Sequence, residues 1–395
     1  MNLSSLLLGY RPVIDRDRRI MALELRMAPR EGQVARMSAL HGLIADGRAL
    51  QASTLILSAP EAEFDAGLLG VEPTPGLWLA VPASVAESPE MQPMLMQLNE
   101  NGMGMVLQGL PSRQLPESLL PVFRLAFVPQ QAERRGGGQE AAAPVDLRQR
   151  AYRSIAVVHA DVTTVQEMDR AFEAGAYAVC GWMRPETQAK DDVVNSMDVS
   201  GVLQLLDMVN RDVDLREIEA VLRREPELAL RLLRHLDSVS FGLTAPVQNF
   251  QHAVMALGYR GMARWLSLML VSANPDPNLR PLMLASFRRG LILERLRARE
   301  ADSSVREQMF VLGVFSLLDQ VLGQPFARLL DRIPVAQDVA DALIHRRGPH
   351  VPMLELVEAI ERGPSEALTA LLARCGFGLD ECNRAILQTM RVAAV

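Results

Sequence analysis

The chain has 395 residues, of which 49% are hydrophobic, and a formal net charge of −6, enough material to bury two cores, because a single domain usually holds about 100 to 200 residues. The acidic balance gives no electrostatic footprint for nucleic acid, and Lys190 is the single lysine among 41 basic residues, an arginine bias of the kind a GC-rich genome produces. Cys180, Cys375 and Cys382 are too scattered for a disulfide framework or a paired zinc site, and no signal-like N-terminus or run of about 18 apolar residues is present, so a cytoplasmic chain with no membrane partner is expected.

In chain order, short apolar runs alternate with amphipathic segments, the pattern of parallel β/α architecture. Strands are predicted at 20–26, 54–59, 77–81, 104–108, 124–128, 155–160 and 177–181, with helices at 34–48, 91–100 and 164–174. Seven strands in a segment well short of the roughly 250 residues of a full (β/α) barrel predict a truncated, TIM-like barrel over 1–190. Residues 130–146 carry Gly, Ala and charge without periodicity and read as a flexible loop. Gly136-Gly137-Gly138 lacks the strand-turn-helix setting and the Lys-Ser/Thr of a phosphate-cradling loop. The polar stretch 186–200 marks the domain boundary.

From 201 onward the period becomes helical. Asp214-x-x-Glu217 fits a capping box ahead of Leu215, Ile218, Val221 and Leu222. Pro226 fits the first turn of a helix with the stripe Ala229, Leu232, Leu233 and Leu236. Met262, Trp265, Leu266, Met269 and Leu270 form another stripe. Ser304-x-x-Glu307 fits a cap before Phe310, Val314, Phe315 and Leu318, and Gly323 and Pro325 stop that helix. The fold class is therefore α/β plus all-α, with 200–395 as an all-helical domain.

Two family resemblances attach to these halves. Tyr10-Arg11-Pro12-Val13-Ile14-Asp15-Arg16 followed by Leu23-Glu24-Leu25-Arg26 resembles the start of an EAL domain, with Glu24 in the place of the motif glutamate. Thr163-x-x-Gln166, and Gly175 followed by Gly181-Trp182 and Pro185, resemble its last two barrel segments. In the second half, residues 225–240 and Ala253-Val254-Met255-Ala256-Leu257-Gly258 resemble the two long segments of an HDOD domain, in the same order. Residues 310–322 and 353–363 resemble the tail seen when HDOD follows EAL.

The EAL resemblance implies cyclic-di-GMP phosphodiesterase ancestry, with divalent metals held by carboxylates and an Asn at strand ends. Such cations need several hard oxygen donors. Glu24 is retained. The other ligand positions fall on Ser58, Ala80, Gln108 and Gly109, Arg124 and Ala126, His159, and Cys180, and the runs at 54–59, 77–81, 104–110 and 124–128 contain no Asp or Glu. The resemblance thus implies a degenerate barrel with no catalytic residue, no metal and no cofactor, in which Glu24 is vestigial. Arg11, Arg26 and Arg124 are candidates for bidentate phosphate contacts at a barrel mouth, or else solvated or structural arginines.

HDOD is similar to the HD phosphohydrolases, whose adjacent His-Asp residues bind metal, but Ser316-Leu317 stands at that place and no His-Asp dipeptide occurs in the chain. His345 and His350 flank a turn and are not read as metal ligands, and His235 sits on a polar face. The expected function is that of a non-catalytic signalling scaffold whose barrel and HDOD surfaces bind other signalling proteins. A weak cyclic-di-GMP receptor without hydrolysis and an active phosphodiesterase are the alternatives. Neither the partners nor the oligomeric state leaves a distinctive residue.

Overall fold

The computed structural model describes residues 3–33, 36–46, 54–129, 155–184, 197–222, 224, 250–300, 302–333 and 335–390. They fall into two compact units, one of 1–186 together with 355–395 and the other of 187–354.

The first unit is a closed barrel of eight strands, in sequence order around the ring. These are β1 (Leu6–Asp15), β2 (Ile20–Pro29), β3 (Thr54–Ser58), β4 (Leu77–Pro82), β5 (Gly104–Gln108), β6 (Leu125–Pro129), β7 (Ala156–Ala160) and β8 (Ala178–Cys180). Strands β2 to β8 pair in parallel. β1 is antiparallel to β2 and to β8, and so closes the ring. The seven predicted strands are all present, and β1 is an eighth beyond them. Gly and Pro are poor residues for a strand interior, yet β1 includes Gly9 and Pro12 and its apolar residues are buried throughout.

Helices α1 (Met37–Asp46), α2 (Ala83–Glu87), α3 (Gln92–Glu100) and α4 (Val165–Glu173) lie between the strands. The barrel interior is filled by Val13, Ala22, Ile56, Ala80, Val106, Phe127 and their neighbours, a packed core rather than a pore. Met168 and Ala171 of α4 pack outside it on Ile14 and Val179. At the end where the parallel strands begin, Gly104 leaves room for the Trp78 indole, whose Cδ1 would lie 2.3 Å from any added Cβ.

In the second unit, α5 (Met197–Asn210), α6 (Leu215–Leu222), α7 (Phe250–Val271), α8 (Arg280–Leu296), α9 (Ser303–Phe315), α10 (Leu318–Leu322), α11 (Phe326–Leu330) and α12 (Gln337–His345) form the helical region. Gly258, at φ 66°, interrupts α7. The Asp214 side chain accepts the Arg216 N–H at 2.8 Å and so caps α6, without the reciprocal Glu217 bond of the predicted capping box among the described residues. The predicted cap at Ser304 is corrected: the cap lies two residues earlier, at Asp302, whose side chain accepts the Ser304 N–H, and α9 begins at Ser303. The helix predicted to run on to Gly323 is broken at Ser316-Leu317 into α9 and α10, with Gly323 in the left-handed conformation after α10. The loop 130–146, the Pro226 helix and the HDOD-like stretch 225–240 lie outside the described residues, as do Lys190 and most of the 186–200 boundary.

The chain ends in α13 (Val351–Arg362), α14 (Ala367–Cys375) and α15 (Leu379–Met390). From Glu355 onward these residues cluster with the barrel, whereas the sequence reading placed them with the helical domain. Asn383 donates from Nδ2 to the carbonyls of Leu3 at 2.8 Å and Leu6 at 2.9 Å. A Cβ on Gly9 would meet Gly363 Cα and Ile360 O at 2.7 Å, so the glycine permits β1 to touch the end of α13. Periodicity shows that α15 has an apolar face but not which surface covers it.

Candidate functional site

In parallel barrels, functional side chains gather where the strands end. Alternation along β2 sends Ala22 and Glu24 inward, and the antiparallel register sets Arg11 of β1 directly opposite Glu24. Glu24 is fully buried. The Arg11 guanidinium donates from Nε to Glu24 Oε2 and from Nη1 to Asp161, which follows β7. Cys180, at the end of β8, lies with its Sγ 3.5 Å from the same Glu24 oxygen. Glu24 Oε1 is buried and accepts no hydrogen bond among the described residues.

The two carboxylates differ. Glu24 is sealed in the interior, whereas the Asp161 side chain is 58% exposed and its backbone adopts a left-handed φ of 62°. Burial opposes the charge on Arg11, but Cys180, once its thiol ionises at high pH, and the Glu24 and Asp161 carboxylates outweigh it and hold the guanidinium above its ordinary pKa. Burial also pushes the Cys180 thiol well above its usual range, with Glu24 adding to the shift and Arg11 opposing it. A neutral, buried thiol is a poor nucleophile.

Other residues singled out from the sequence scatter. Ser58, at the end of β3, is buried and donates from Oγ to Gln108 Oε1 at 3.0 Å. Ala80 is part of the barrel core. Gly109, at φ 90°, turns the chain out of β5. Arg124 precedes β6 at the opposite end of the barrel, with its guanidinium 5.0 Å from the centre of the Trp78 ring, and so is corrected as a mouth residue. Ala126 and His159 alternate with the inward-facing Leu125, Phe127 and Val158, and so point to the outer face. Strand register, rather than residue type, decides these cases. Arg26 reaches the Arg362 carbonyl at 3.4 Å.

Ser316 in the second unit accepts from Arg289 Nη1 at 3.0 Å and donates to the Gly313 carbonyl at 2.7 Å; Leu317 is buried beside it. A cavity of about 360 Å³ in this unit is lined by Leu206, Ser267, Glu307, Gln308, Phe315 and Val339 among others, and burial raises the Glu307 carboxyl above its ordinary value. His350 faces Gln308 across 3.2 Å. Among the described residues, no three or more His, Cys, Asp or Glu side chains are grouped so as to hold a metal ion, and no helix is long and apolar enough to cross a membrane.

Asp161 is the site residue whose role the sequence did not reveal. Its partner, Arg11, lies 150 positions away, and only closure of the barrel by β1 brings the two together.

Residues 199–325 match the HDOD domain family. The chain is 25% identical over 232 residues to the cyclic di-GMP phosphodiesterase CdgJ of Vibrio cholerae, covering 58% of this chain and 54% of that one. It is 24% identical over 208 residues to the uncharacterized protein YuxH of Bacillus subtilis, covering 51% and 50%. The chain thus spans about half the length of the curated relatives it matches. Among solved structures, the EAL domain of Mycobacterium smegmatis DcpA aligns with 45% of this chain and 90% of its own, at 17% identity and a TM-score of 0.32. The chain carries an HDOD domain after an eight-stranded barrel and is similar to EAL–HDOD proteins.

Proposed function

We propose that this is a cytoplasmic, non-catalytic signalling protein of the cyclic-di-GMP-related EAL–HDOD type, acting through contacts of its barrel and HDOD surfaces with other signalling proteins. One observation carries the reading: the cation beside the motif glutamate is the guanidinium of Arg11.

Two hard divalent cations would need about six oxygen donors each. The residues gathered at this mouth do not fit them. Glu24 spends one oxygen on Arg11, Ser58 donates its hydroxyl to Gln108, and Cys180 supplies a sulfur that such ions disfavour. A fixed, protein-borne positive charge already neutralises the carboxylate, so no chemical step is assigned to it. At the equivalent of the His-Asp pair, Ser316 also faces an arginine, Arg289. A protein-binding role needs a surface and not a metal.

Incubation of the purified chain with cyclic-di-GMP and Mg²⁺ or Mn²⁺ tests this reading. No linear dinucleotide should form above the rate without protein; metal-dependent turnover that disappears in Glu24→Ala would overturn it. The second reading, a receptor without hydrolysis, is favoured by the arginine at the mouth. Calorimetric titration with the same dinucleotide separates the two.

A further inference from the structure

The cavity of about 360 Å³ in the helical unit is separate from the barrel mouth. Helix α9 lines it with Ser304, Glu307, Val311 and Phe315, which recur at helical spacing and so form one stripe of that helix. Helix α7 contributes the small residues Ala263 and Ser267, and Leu206 of α5 and Val339 of α12 extend the apolar lining. The volume lies at the lower end of the roughly 300 to 1,000 Å³ of small-molecule sites.

The polar groups of this lining are unequally committed. Ser267 donates its hydroxyl to the Ala263 carbonyl at 2.8 Å, and Gln308 Oε1 accepts from His350 Nε2 at 3.2 Å. Glu307 is held less firmly. Its side chain is 32% exposed, and its ion pair among the described residues is a loose one, with Arg260 Nε at 3.8 Å. The two neighbouring arginines have closer partners: Arg260 donates from Nη1 to Ser303, and Arg264 pairs with Glu294 while lying over the Phe310 ring. Burial raises the Glu307 carboxyl above its ordinary value although both arginines oppose the shift.

We propose that this cavity binds a small organic cation, a free alkylamine whose ammonium pairs with Glu307 and whose aliphatic chain lies among Val311, Phe315 and Val339. Charge complementarity selects that ligand. Glu307 is the single titratable group of the lining among the described residues, so an anion would meet a carboxylate and a neutral molecule would bury it further without compensation. An alkylamine is protonated at neutral pH, as lysine is, and its ammonium donates charge-assisted hydrogen bonds to a carboxylate. Occupancy would bridge α5, α7, α9 and α12 and stabilise the helical unit by mass action. The site does not depend on whether the barrel hydrolyses a dinucleotide.

The test is titration of the full chain with hexylamine at neutral pH and constant ionic strength, followed by saturation-transfer NMR, with n-hexanol and hexanoate as comparators of the same chain length. The amine should saturate with a Kd about fivefold lower than that of the alcohol, and hexanoate should bind more weakly than either. Glu307→Gln keeps the size of the side chain and removes its charge. It should raise the Kd of the amine to that of the alcohol and leave the alcohol unchanged. Val311→Phe fills the space from α9 and should weaken the amine and the alcohol alike; an unchanged circular dichroism spectrum shows that each variant is folded. No saturable binding of the amine to the wild type, equal affinity for amine and alcohol, or an amine Kd unmoved by Glu307→Gln or by Val311→Phe would overturn the site.

Discussion

Arg11 and Glu24 face each other across the antiparallel pair that opens the barrel, and the guanidinium of one neutralises the fully buried carboxylate of the other. The pair is both a structural element and the feature that sets the chemistry of the mouth.

Arg11→Met leaves Glu24 buried and uncompensated, which costs about 3 to 5 kcal/mol. Arg11→Met combined with Glu24→Gln should recover most of that loss, since neither charge remains to be desolvated. Chemical denaturation of both variants checks this; equal stability of the single and double variants would refute it.

His41 on α1 is fully buried, with neither ring nitrogen hydrogen-bonded among the described residues. Burial lowers its pKa from the ordinary 6.5. A depressed folded pKa means that the unfolded chain takes up the proton first. The contribution to stability is therefore complete above pH 6.5 and is lost as pH falls through the lower folded value. His41→Leu should flatten this acid limb and, by removing two unsatisfied polar atoms, add about 1 kcal/mol at neutral pH. Melting temperatures measured between pH 7 and pH 5 report both effects.

Helices α8 and α9 approach through two glycines. A Cβ on Gly313 would lie 2.3 Å from Gly290 N and 2.5 Å from Arg289 C, both backbone atoms that cannot step aside. Gly313→Ala should therefore cost about 1 to 3 kcal/mol by overpacking. The control is Gly42→Ala on α1, where nothing lies within 4 Å; helix propensity there favours alanine by about 0.5 to 1 kcal/mol. Urea midpoints should move in opposite directions.

Asn383 joins α15 to the start of the chain by two hydrogen bonds to buried carbonyls. Asn383→Ala should destabilise the barrel by about 1 to 3 kcal/mol, and removal of 355–395 should unfold it. Hydrogen exchange of the β1 amides measures this directly, with protection falling in β1.

Most of the fold could be read from the sequence because strands buried on both faces are continuous apolar runs and amphipathic helices have a distinct period. The run 104–108 coincides with β5, for example. β1 is hard to see in the sequence because Gly9 and Pro12 are poor strand formers, although Gly9 is needed for the close approach of Gly363. The missing strand also concealed the site: without its antiparallel register, Arg11 and Glu24 are merely 13 residues apart. The placements of Ala126 and His159 depended on strand phase, since a slip of one residue turns a side chain from the interior to the outer face, whereas Arg124 stands before β6, at the end of the barrel away from the mouth.

Whether the Arg11 guanidinium stands in for a cation at Glu24 is decided by titrating the full chain with Mn²⁺ and following the free-ion signal by electron paramagnetic resonance. Free Mn²⁺ should give its signal from the first addition, unchanged by Glu24→Ala. Loss of signal that saturates at a whole number of ions per chain, and is abolished by Glu24→Ala, would contradict it.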